Sequence, residues 1–136
     1  MTIPARLPAG TFVKLERCRR PHDDALGLFG ARVEAPGLSA SLEVETLNGD
    51  GLDSFVQSLG NDFRGWTDER IWASFRGDLE LRASHSGRLI WLSWTLRFPE
   101  PTEEDPAVWT ATVRVHLTPG EDLRVFNSDV AAFLNV

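Results

Sequence analysis

The stretch RLIWLSWTLRF (88–98) places apolar residues at every second position. Ile90, Leu92, Trp94, Leu96 and Phe98 form one set, and Leu89, Trp91, Ser93, Thr95 and Arg97 form the other. Neighbouring side chains of a strand point to opposite faces, so the first set marks a core face and the second an outer one. Trp94 is therefore assigned to the core and Trp91 to the opposite side. VWTATVRVHL (108–117) sorts the same way, with Trp109, Ala111, Val113, Val115 and Leu117 inward and Thr110, Thr112, Arg114 and His116 outward. In LELRAS (79–84), Leu79, Leu81 and Ala83 face in while Glu80, Arg82 and Ser84 face out. IWASF (71–75) supplies another strand, and the turn signals Gly77-Asp78 and Ser86-Gly87 predict a meander over 71–98. PEPTEEDP, with Pro99, Pro101 and Pro106, is an acidic loop that no sheet ladder can absorb.

Upstream, TFVKLER (11–17) reads as a strand, and LGLFGARVEA with LSASLEVET as a hairpin about Pro36-Gly37. The first ten residues, containing Pro4, Pro8 and Gly10, read as a flexible tail, leaving 11–136 as one domain. Two stretches switch to the helical period. Leu52, Phe55, Val56, Leu59 and Phe63 form one stripe, with Asp50 as its cap, Gly65 as its end and Trp66 folding back over that end. Leu123, Phe126, Val130, Phe133 and Leu134 form another, with Thr118 at the cap, Pro119 in the first turn and Glu121 completing a capping box. The expected fold is α+β, an antiparallel sheet of six to seven strands with two amphipathic helices packed on one face.

That arrangement leaves a helix-free sheet face displaying Trp91, Arg97, Arg114, His116, Arg82 and Glu80 among Ser and Thr. Tryptophan and arginine are the residues enriched at interaction hot spots, so this face is a candidate protein-binding surface. The competing reading is structural, with an arginine lying over Trp91 to stabilise the sheet.

Charge narrows the partners. The chain of 136 residues carries a net charge of −6, which disfavours binding to nucleic-acid phosphate. Residues 99–136 alone hold two basic and seven acidic groups, including Glu103, Glu104 and Asp105, which form an alternative, acidic interface for a basic partner. No apolar run approaches the roughly 18 residues of a membrane helix, and MTIPARLPAG lacks the apolar centre of a signal peptide. No membrane partner and a cytoplasmic location are expected.

Candidate chemistry is sparse. His22-Asp23-Asp24 has no diagnostic metal spacing and reads as a polar turn. His85 sits beside a turn, and His116 could act as a base only with an oriented partner. Asp50 and Asp53 suit helix capping. Cys18, the only cysteine, excludes an intrachain disulfide; the flanking Arg17, Arg19 and Arg20 could lower its pKa, yet no histidine is paired with it. The glycines of GLFGARVEAPG lie in strands rather than before a helix, so they form no phosphate loop. No catalytic residue, metal or cofactor is expected, and the chain reads as a non-enzyme.

The order of elements carries a resemblance. A helix leaving through SFVQSLGNDFRGW is followed by WASFRGDLELRASHSGRLIWLSWTLR, then by VWTATVRVHL and TPGEDLRVFNSDVAAFL. Over residues 26 to 135 this resembles a group of small actinobacterial proteins of unknown function that is similar in layout to the WapI-type immunity proteins of bacterial toxins. The resemblance implies a small inhibitor that binds a cognate toxin domain, and it supplies no catalytic residue. Two other readings stay open at this point. One is a small-ligand carrier with a pocket lined by Trp66, Trp72 and Trp94, and the other is a homodimer formed through the Trp91 face.

Overall fold

The computed structural model describes residues 1–4, 9–20, 26–62 and 64–135. Among these residues eight strands and two α-helices run in the order β1 (Thr2–Pro4), β2 (Phe12–Arg19), β3 (Leu26–Ala35), β4 (Leu38–Leu47), α1 (Leu52–Asn61), β5 (Arg70–Ala73), β6 (Leu79–Ser86), β7 (Leu89–Phe98), β8 (Trp109–Leu117) and α2 (Glu121–Leu134). The α+β class and the two helices match the expectation. The strands, however, are shared between two antiparallel sheets rather than collected in one. β1–β4 form the first and β5–β8 the second, each in chain order. Every pairing within a sheet joins consecutive strands, whereas α1 and its flanks separate β4 from β5, so no hairpin can carry pairing across that gap.

Both sheets turn an apolar face to one core. Val13, Leu15, Phe29, Ala31, Val33 and Val44 come from the first sheet; Leu79, Leu81, Ile90, Leu92, Trp94, Leu96, Val113 and Val115 come from the second. Helix α2 touches both layers. Its Phe126 meets Trp94 edge-on with centroids 6.2 Å apart, and its Phe133 meets Phe29 at 5.6 Å. Val56 and Leu59 of α1 are fully buried, and α1 packs on α2. The assignment of Trp94 to the core holds, with 0% of its surface exposed. Its indole Nε1 has no hydrogen-bond partner among the described residues.

Three local expectations change. Residues 2–4, read as tail, form β1 against β2, because Ile3 buries its side chain and Met1 exchanges backbone bonds with Leu15 at 2.8 and 2.9 Å. Asp50 does not cap α1. It sits in a 3-10 turn, Asn48–Gly51, in which all four residues have positive φ, and the helix N-cap is Gly51. Gly49 is required there by close approach, since a Cβ would stand 3.0 Å from Cδ1 of Leu134. At α2 the N-cap is Gly120, not Thr118; Asp122 instead accepts from the Thr118 backbone NH and hydroxyl at 3.1 and 2.8 Å, and Glu121 pairs with Arg124. Phe63 and His22-Asp23-Asp24 lie outside the described residues. No helix among the described residues is long and apolar enough to cross a membrane.

The freed Asp50 carboxylate serves another purpose. It accepts from the backbone NH of Leu47 at 3.1 Å and of Phe75 at 2.9 Å, while its own carbonyl accepts from Trp72 Nε1 at 2.8 Å. Arg76 adds ion pairs to Glu45 at 2.8 Å and Glu100 at 3.0 Å. The end of β4 is thereby latched to the β5–β6 turn, and that turn to the loop after β7.

Candidate functional site

The cross-strand register brings all six residues expected on the outer face of the second sheet to that face. Trp91 lies opposite His116, Ser93 opposite Arg114, Glu80 opposite Thr95 and Arg97 opposite Thr110. Two groups form. In the first, Glu80 accepts from Arg82 and stands 3.2 Å from Arg97, and Arg82 also reaches Glu69 at 3.5 Å. Burial pushes the Glu80 carboxyl up, but the Arg82 hydrogen bond and the charges of Arg97 and Arg82 outweigh it and hold the pKa below its ordinary value. In the second, the Arg114 guanidinium lies 4.5 Å over the Trp91 ring and the His116 ring is 5.0 Å away. Between them the hydroxyls of Thr95 and Thr112 meet at 2.8 Å. The face is assembled as expected, and its charged and aromatic members are engaged with each other.

The loop after β7 is arranged differently. Thr102 and Asp105 close it, with the Thr102 NH donating to Asp105 O and the Asp105 NH to Thr102 Oγ1, both at 2.9 Å. Glu103, Glu104 and Asp105 remain exposed on it. Beside this loop the two sheets leave apolar side chains in solvent. Phe98 is 50% exposed, Val108 80%, Phe75 47% and Leu47 50%. Some of their neighbours are tied together. The Asp50 carboxylate joins Leu47 to Phe75, Arg76 lies 5.0 Å over Phe75 while gripping Glu100, and Val108 NH donates to Phe98 O at 2.8 Å. Phe98 and Trp109 have the inward parity yet keep part of their surface in solvent, and their rings stack at 6.1 Å. Ile71 is also exposed, on the same side of β5 as Phe75.

The acidic loop at this end was read from the sequence as an alternative interface, but its exposed apolar neighbours were missed, although part of their signal was there. Once Trp72 is placed inward, strand alternation puts Ile71, Ala73 and Phe75 outward. The half-exposed Phe98 carried no such signal, because its apolar set gives no hint that the core stops short of it. At the same end Asp78 is buried, and that burial raises its carboxyl pKa against the opposing hydrogen bond from Ser74 Oγ at 2.7 Å.

The other candidates are accounted for locally. Trp66 donates to Ala83 O at 3.3 Å and packs on His85 at 5.3 Å, with Arg70 4.8 Å over its ring. Arg70 also closes the end of α1 through Ser58 O at 3.2 Å and Asp62 at 2.6 Å. Trp72 is 7% exposed and Trp94 fully buried, and both belong to the core. Burial raises the Cys18 thiol pKa, outweighing the opposing charge of Arg20. The arginine neighbours therefore do not produce the activated thiolate that the sequence allowed. Among the described residues no three His, Cys, Asp or Glu side chains converge as metal ligands.

A family of unknown function, DUF6228, matches residues 6–136, and the chain belongs to it. No curated protein matches the chain. No solved structure matches it either.

Proposed function

We propose that this member of the family is a non-catalytic protein-binding domain that neutralises a basic bacterial toxin domain by stoichiometric binding. The observation that carries the reading is that Phe98 and Val108, exposed and joined by a backbone hydrogen bond, flank a connection that carries the exposed carboxylates of Glu103, Glu104 and Asp105. Apolar side chains held in water gain by being covered, and a carboxylate rim selects a cationic cover. Arg76, at the neighbouring turn, is already engaged by Glu45 and Glu100. The acidic interface is thus favoured over the Trp91 face, whose Arg and Glu groups are mutually paired. The toxin assignment rests on the likeness in layout to WapI-type immunity proteins.

Co-expression tests it. The C-terminal domain of a toxin encoded beside this gene is expressed alone, with the wild-type protein, with Val108→Asp and with Trp91→Ala. Growth is expected to return with wild type and Trp91→Ala and to fail with folded Val108→Asp. Failure of the wild type to restore growth or to co-purify with the toxin domain refutes the inhibitor reading. Light scattering on the free protein is expected to give a monomer; a homodimer dispersed by Val108→Asp would instead assign the surface to a second copy.

A further inference from the structure

Val125 is the exposed large apolar side chain that lies far from this end in the chain, at 42% exposure on α2. It stands on the lip of a groove of about 410 Å³ between β1, the end of β8 and α2, lined by Thr2, Ile3, Leu117, Phe126 and Asp129 among others. Ile3, Leu117 and Phe126 are buried and make an apolar floor. The groove continues past Asp129 into a second depression of about 400 Å³, lined by Met1, Ala132 and Phe133. The dimensions fall within the usual range of small-molecule sites, roughly 300–1,000 Å³.

Besides His116, the titratable side chains that line the groove are both acidic. Asp122 and Asp129 lie seven residues apart on α2, hence on one side of the helix, with Val125 between them. Asp122 is committed to Thr118. The exposed Asp129 side chain makes no hydrogen bond or ion pair among the described residues. The Met1 ammonium in the adjoining depression donates to Leu15 O at 2.8 Å. A free carboxylate where two apolar depressions meet favours an occupant with an apolar body and a cationic head.

We propose that this groove binds a small organic cation of the alkyl- or arylammonium class, with Asp129 pairing with the ammonium and Ile3, Leu117, Val125 and Phe126 holding the apolar body. The site is separate from the protein-binding end and does not depend on that reading.

The test is a titration followed by ¹H–¹⁵N NMR with 2-phenylethylammonium as probe, and with 2-phenylethanol and phenylacetate as neutral and anionic controls. Saturable shifts are expected at Ile3, Leu117, Val125 and Asp129 with the ammonium, at least fivefold weaker binding of the alcohol, and none of phenylacetate. Asp129→Asn should weaken the ammonium at least fivefold while leaving the alcohol unchanged. Val125→Arg, at a solvent-facing helix position, should block both, and an unchanged far-UV spectrum confirms its fold. Absence of saturable shifts, equal binding of phenylacetate, or no effect of Asp129→Asn overturns the proposal.

Discussion

Two surfaces of the second sheet answer the same problem in opposite ways. On its outer face, Glu80 holds Arg82 and Arg97, and Trp91 lies beneath Arg114 and against His116. At the end formed by the β5–β6 turn and the β7–β8 connection, Phe75, Phe98 and Val108 stay in solvent, and the exposed carboxylates of Glu103, Glu104 and Asp105 make no ion pair among the described residues. The first surface has a composition typical of interfaces but leaves little to be gained by covering it. The second is less conspicuous in sequence and has unsatisfied apolar area. On the proposed reading, composition alone is a poor guide to a docking surface, and what matters is whether its groups have already found each other.

The largest expected effect separates the two tryptophans. Trp94→Ala removes a fully buried ring and should cost about 3–5 kcal/mol in chemical denaturation, enough to unfold much of the population. Trp91→Ala loses the Arg114 and His116 contacts on a half-buried surface, and about 1 kcal/mol is expected. Equal losses would mean that the outer face is as much a part of the core as the inner one.

Next in size is the effect on binding. Phe98→Asp should weaken the toxin-domain complex at least 100-fold, about 2.7 kcal/mol, with a small change in Tm, because Phe98 is already half exposed. Charge reversal of Glu103, Glu104 and Asp105 to Lys should slow association and flatten its salt dependence, measured by stopped flow at several ionic strengths.

The smallest effects are in pH dependence, and they have opposite signs on the two surfaces. Glu80 has a lowered folded pKa, so its contribution is present above the unfolded value of about 4.3 and is lost as pH falls through the folded value. Glu80→Gln should therefore be less stable than wild type at neutral pH, with the two curves converging in acid. Asp78 has a raised folded pKa. Its contribution is present below the unfolded value of about 3.9 and is lost as pH rises through the folded one. Asp78→Asn should match or slightly exceed wild-type stability at neutral pH, since the amide oxygen can still accept from Ser74. Urea denaturation between pH 3 and 7 checks both; parallel curves for either variant would contradict the assigned cause.

Much of the fold was legible because strand alternation and helix stripes are local. The inner and outer sets of β6, β7 and β8 were readable from parity, and so were the buried faces of α1 and α2. The division into two sheets was not, because it depends on what packs around the α1 insertion. The roles of Asp50 and Arg76 were hidden for the same reason. Asp50 caps a helix in a local reading, yet its partners in space are the backbone at Leu47, three residues away, and at Phe75, 25 residues away. Arg76 pairs with Glu45 and Glu100, residues 31 and 24 positions distant. The six outer-face residues share the face that parity assigned to them, but their mutual pairing is a matter of three-dimensional distance.

Calorimetric titration of the toxin domain into wild type, Trp91→Ala and Phe98→Asp, each first shown to be folded, tests the central claim most directly. The account predicts one-to-one binding of similar affinity for wild type and Trp91→Ala and a severe loss for Phe98→Asp. Retained binding by Phe98→Asp together with its loss in Trp91→Ala would move the docking surface to the outer face of the sheet and contradict the account.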